Sequence, residues 1–186
     1  MSQGRAIVSS QVRFRRKGVA YIEGERIQPV NIRKQAIEDY ASQVASIASF
    51  KPGQSFVPLI KTFGGSLHQQ HMDEWLGEDG SIFVHAPNDF DILIPYYTSP
   101  RRNRFTVAHE LGHYFLHSQQ GAIPVIAHRR GSGRIESEAN WFAAGLLMPR
   151  DAFTEQWNRL RSIELVAEFF DVSVDAARVR KESVCG

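Results

Sequence analysis

The sequence predicts an α+β fold: a small antiparallel sheet packed against two central helices, followed by a helical C-terminal segment. Three observations carry this. Apolar residues recur at helical spacing over residues 31–50, and again over 104–117 and 135–147. Between the first and second of these stretches lie three short runs rich in β-branched and aromatic residues, each bounded by turn residues. The chain has 186 residues, 42% of them hydrophobic, which suits one core with a small appendage.

Residues 1–30 show no sustained period and read as a basic, extended lead-in. Residues 1–35 carry eight Lys or Arg against two Glu, including the run Arg13, Arg15, Arg16, Lys17. This run reads as a solvated, frayed segment. The alternative is a patch for an acidic partner or nucleic acid, without interleaved aromatics to favour the latter. The first helix presents Ile32, Ala36, Ile37, Tyr40, Ala41, Val44, Ile47 and Ala48 on one side. Lys51-Pro52-Gly53 stops it, and a short helix over 57–63 ends at Gly64-Gly65. Residues 66–70, 81–86 and 90–97 are the expected strands, with Pro87-Asn88-Asp89 as a hairpin turn and Pro95 at an edge or strand end. Ser99-Pro100 breaks the sheet. A helix starts near Arg104 and runs to about His117; a loop at Gly131–Gly133 precedes the helix over 135–147. Shorter helices follow over 151–160, 162–170 and 173–181, with Ser162 and Ser173 as N-caps. The expected organisation is a lead-in at 1–30, a main domain at 31–150 and a helical segment at 151–186.

Several classes are excluded. Net charge is only +2, so the chain as a whole is no polyanion binder. No apolar run reaches the length of a membrane span, and the opening MSQGRAIVSS lacks the apolar stretch of a secretory signal. A single cysteine, Cys185, allows neither an internal disulfide nor a thiolate metal cluster. A reducing, cytoplasmic location is the expectation.

The segment RFTVAHELGHYFLH contains H-E-x-x-H at His109, Glu110 and His113. Residues four apart lie on one helix face, so two imidazoles converge on one zinc ion. Glu110, one residue on, is placed to take a proton from the metal's water. At about 100° per residue, Thr106, His109, Glu110, His113 and His117 form a single polar stripe on an otherwise apolar helix. Burying such groups without partners is costly, and a metal with its water supplies partners.

Zinc of this kind takes three protein ligands and a water. His117 shares the stripe, but it lies about 12 Å along the axis from His109, too far for bonds of about 2 Å. It reads as an outer-shell or helix-terminal histidine. The next helix holds Glu136 and Glu138, which point in different directions. Glu138 shares a stripe with Phe142 and Gly145, and a core-facing carboxylate needs a cation. Glu138 is therefore the expected third ligand, with Glu136 in reserve. Gly145 would serve close approach of the two central helices. For the oxyanion donor, Tyr96, Tyr97, Tyr114 and His117 all stay open.

RRNRFTVAHELGHYFLH, followed by ESEANWFAAGLLMP, resembles the ImmA/IrrE metallo-endopeptidases. The likeness spans about residues 31–180 and is most specific over 101–149. It implies a zincin-like fold and a gluzincin site, with His109, His113 and Glu138 as Zn2+ ligands and Glu110 as general base. It implies regulatory cleavage of a helix-turn-helix repressor, often encoded in phages or mobile elements. Two departures stand out: Gly145 replaces a frequent Glu, and the tail KESVCG lacks a Leu-rich ending. Two other functions compete. One is a non-catalytic metal-binding regulator acting by protein contact. The other is DNA binding through the helices over 162–181, whose basic residues are few: Arg178, Arg180 and Lys181.

Overall fold

The computed structural model describes residues 13–70, 80–128 and 133–185. Most of the loop expected at Gly131–Gly133 lies outside them. The fold is α+β, with a five-stranded sheet and a helical C-terminus. The strands are β1 (Ile22–Glu23), β2 (Gly65–Gln70), β3 (Ser81–Ala86), β4 (Asp89–Pro95) and β5 (Val125–His128), in the order β1-β5-β3-β4-β2. The helices are α1 (Lys34–Ile47), α2 (Phe56–Thr62), α3 (Pro100–Gly112), α4 (Arg134–Leu147), α5 (Arg150–Leu160), α6 (Ile163–Phe170) and α7 (Val174–Cys185).

The sheet is mixed. β3 pairs antiparallel with both β4 and β5, whereas β2 runs parallel to β4 and β1 parallel to β5. The three expected strands form, and two short ones extend the sheet. β1 has two residues, too few for any period to register. β5 is Val-Ile-Ala-His, with no polar alternation to mark it.

Side-chain alternation divides the sheet into two faces. Ile82, Val84, Phe90, Ile92, Ile94, Val125 and Ala127 join the main core with the helices, while Phe83, Leu93 and Ile126 face the other way and meet Phe14 and Tyr21. The lead-in is thus tied down rather than frayed from Arg13 onward. Arg15 pairs with Glu23 and Arg16 with Asp89, both at 2.7 Å. The Tyr21 hydroxyl lies 2.6 Å from His85 Nδ1. Two apolar rings and a polar anchor outweigh the charge run that suggested solvation.

Ser99-Pro100 proves to be a helix start. Ser99 Oγ accepts from the Arg102 N–H, and Pro100 occupies the first turn, where its missing N–H costs nothing. The helix therefore begins four residues before Arg104. Beyond Gly112 it widens into a π turn over His113–His117, with the Ser118 N–H donating to His113 O. Ser162 and Ser173 accept from the Leu165 and Ala176 N–H groups.

Two glycines permit close packing. A Cβ on Gly112 would stand 2.9 Å from Ala139 Cα, so this glycine lets α3 approach α4. A Cβ on Gly145 would stand 2.7 Å from Glu38 Cα. Gly145 therefore serves the contact of α4 with α1, not the one between α3 and α4 that its position suggested. The C-terminal helices join the same core through Phe153, Val166, Phe170 and Ala177. Arg180 is turned inward, 2.7 Å from Glu38 and donating to Met148 O at 2.9 Å. Arg178 pairs with Asp175, and Lys181 covers the Trp157 ring. Of the three basic residues that DNA contact through α7 would use, Arg180 is thus buried in the core. Among the described residues no helix is long and apolar enough to cross a membrane.

Candidate metal centre

α3 and α4 lie side by side, with Gly112 packed against Ala139, and each contributes side chains to one polar cluster. His109, Glu110, His113 and Glu138 are all at most 1% exposed. His109 Nε2 and His113 Nε2 are 3.2 Å apart. The Glu136 carboxylate lies 3.1 Å from the first and 3.7 Å from the second. A tetrahedral ion with bonds of about 2.0–2.1 Å separates its ligand atoms by about 3.3–3.4 Å. The distances lie near that edge, the two from Glu136 running to different oxygens of its carboxylate, and two imidazoles with a carboxylate are a donor set suited to zinc. The residues present fit such an ion.

The two imidazoles expected to act together are brought together; Glu138 is not brought to them. Its Oε1 accepts from Arg134 Nε and the Asn31 N–H, both at 2.8 Å, and its Oε2 accepts from the Val30 N–H at 2.9 Å and faces His117 Nε2 at 3.2 Å. Glu136, the reserve, holds the expected place of Glu138. The stripe argument located the more buried of the two carboxylates on α4, and that carboxylate does need a cation. It finds one in Arg134, with two backbone donors beside it. Glu138, Phe142 and Gly145 face the lead-in and α1, whereas Glu136 and Asn140, four apart, face the histidines of α3. That i, i+4 pair is the signal the sequence reading passed over.

Burial is the main force on the protonation states. It holds His113 well below the usual histidine range, and the neighbouring His109, His117 and His128 push the same way. His117 is also lowered by burial, against the opposing hydrogen bond and charge of Glu138. Burial alone would raise the Glu138 carboxyl, but hydrogen bonds from Arg134, Val30, His117 and Asn31 outweigh it and hold the group below the carboxylate range. Neutral imidazoles beside an ionised outer carboxylate are the states that metal ligation uses. Glu110 is fully buried, and Gly80 at the start of β3 abuts it: a Cβ there would stand 2.8 Å from Glu110 Oε1.

The oxyanion candidates separate by position. The Tyr114 hydroxyl accepts from the Asn88 N–H at 3.2 Å, at the β3–β4 turn. His117 is held between His113 and Glu138. Tyr96 and Tyr97 are exposed. His128, on β5, went unnoticed in the sequence. It lies 2.9 Å from Ser81 Oγ and close enough to His113 to influence it.

Residues 78–182 match the family described as Peptidase_M78, IrrE N-terminal-like domain. This chain belongs to that family. It is 28% identical over 100 residues to Metallopeptidase ImmA of Bacillus subtilis (strain 168), a match covering 52% of this chain and 59% of that protein. In structure it is similar to a Mycobacterium tuberculosis transcriptional regulator, with a TM-score of 0.56 and 14% identity, over 94% of this chain and 48% of that one. The chain thus spans little more than half of the curated relative and about half of the solved chain. The family is one of metallopeptidases, and the second likeness is one of fold.

Proposed function

We propose that this chain is a zinc-dependent endopeptidase of the cytoplasm that cuts a protein substrate, with a helix-turn-helix repressor as the substrate class. The observation that carries the reading is the convergence of His109 Nε2, His113 Nε2 and the Glu136 carboxylate within 3.1–3.7 Å of one another. These three residues would hold the ion. A bound zinc ion would acidify water and polarise a carbonyl.

The chain's own groups supply the rest. Glu110, buried and one residue from His109, would accept a proton from the attacking water and return it to the leaving amine. Burial strengthens each electrostatic contact there. The family's metallopeptidase membership supports hydrolysis of a peptide bond. The repressor class rests on the sequence resemblance.

The test pairs two measurements on purified protein. The wild type is expected to carry about one zinc per chain and to cut a small helix-turn-helix repressor, with a chelator stopping the reaction. Glu110→Gln is expected to keep the zinc and lose at least about a hundredfold in cleavage rate. Cleavage at the wild-type rate by that variant would remove Glu110 from its role. Bound zinc without turnover of any repressor would favour the non-catalytic regulator.

A further inference from the structure

Glu138 and His117 are absorbed by neither the ligand set nor the proton transfer, yet both are buried, and His117 bridges Glu138 to His113. Resting on the metal-centre reading above, we propose that Glu138 and His117 form a proton-ordered chain that fixes the tautomer of His113, turning its Nε2 lone pair toward His109 and Glu136.

The order follows from what each atom can donate. Glu138 already accepts from Arg134 Nε, the Asn31 N–H and the Val30 N–H, so it is an ionised acceptor. His117 Nε2, 3.2 Å from Glu138 Oε2, must then be its donor. His117 Nδ1 and His113 Nδ1 face each other at 3.0 Å, and one proton lies between them. A neutral His117 that gives its one ring proton to Glu138 leaves its Nδ1 as a lone pair, so the proton between the rings is carried by His113 Nδ1. With the proton on His113 Nδ1, His117 accepts it and His113 Nε2 is a free lone pair.

His109 is oriented by a simpler device. Its Nδ1 lies 2.9 Å from Asn140 Oδ1, an acceptor, so its proton also sits away from the site. One ligand is set by a neutral amide and the other by an anion acting through a second ring. A carboxylate behind a ligating histidine fixes its orientation and raises its basicity. Glu138 is thus a positioning residue. It also ties the lead-in to the centre: Arg134, which binds its Oε1, donates at the same time to Ile32 O at 2.6 Å.

The test uses the full chain with 15N-labelled histidine. In metal-free wild type near pH 8, the His113 ring is expected to show a single Nδ1–H tautomer by long-range 1H–15N correlation. His117→Phe keeps a ring but removes both nitrogens. It is expected to give mixed His113 tautomers and a loss of about 10–100-fold in zinc affinity, read by chelator competition. His117→Gln, which restores an acceptor, should recover most of that loss, whereas a purely packing role would favour the Phe variant over the Gln one. An Nε2–H tautomer in the wild type, or wild-type zinc affinity in His117→Phe, would overturn the proposal. If the wild type takes up no zinc, the peptidase reading fails by itself, and the tautomer measurement still decides this one.

Discussion

α4 borders two acid clusters, and they are built in opposite ways. Where Gly145 meets α1, Glu38 faces cations: Arg180 at 2.7 Å, Arg150 at 3.4 Å and Lys34 at 3.8 Å. Where α4 meets α3, the Glu136 carboxylate faces two ring nitrogens whose Nδ1 sides are already engaged, by Asn140 and by His117. The first cluster carries its own positive charge and closes a packing contact. The second presents acceptor atoms to one another, an arrangement that an ion from outside would complete. What each carboxylate faces separates the two clusters.

Substitutions on the two sides should therefore part company. The largest effect is expected for His109→Ala, which should take bound zinc from about one per chain to near zero by elemental analysis. It should also abolish the stabilisation by added zinc, about 2.7 kcal/mol at a hundred times the dissociation constant. Arg180→Met leaves Glu38 buried without its closest partner and should cost about 3–5 kcal/mol in denaturant unfolding, with zinc content unchanged. Pairing it with Glu38→Met should recover much of that loss. If Arg180→Met lost zinc, the two clusters would not be independent.

Smaller effects sharpen the contrast. Gly112→Ala forces a Cβ against Ala139 and should cost about 1–3 kcal/mol while weakening zinc binding, because the two helices that carry the ligands are pushed apart. Gly145→Ala should cost a similar amount at the α1 contact with zinc affinity unmoved. Tyr21→Phe, which loses the hydroxyl beside His85, should cost about 1 kcal/mol and leave both clusters untouched.

Much of this was legible in the sequence where a period was long. The central helices and the three main strands follow from apolar spacing alone. Short elements escaped: β1 and β5 offer two and four residues, below the span in which alternation shows. Ser99-Pro100 reads as a break after the sheet, and the same pair serves as cap and first turn of the helix, so the start near Arg104 falls four residues late. H-E-x-x-H is a local motif, so its convergence was visible in one segment. The partner of the pair was not. Choosing between Glu136 and Glu138 requires knowing which side of α4 meets α3 and which meets Val30 and Asn31, and that depends on contacts more than a hundred residues apart in sequence.

The central claim is that an ion is held by His109, His113 and Glu136 while Glu138 stays outside its coordination sphere. Zinc affinity of Glu136→Gln and Glu138→Gln, measured side by side against a competing chelator, tests it most directly. Loss of stoichiometric zinc in Glu136→Gln, with Glu138→Gln still binding more weakly than wild type, is the predicted result. Wild-type affinity in Glu136→Gln, with zinc lost from Glu138→Gln, would contradict it.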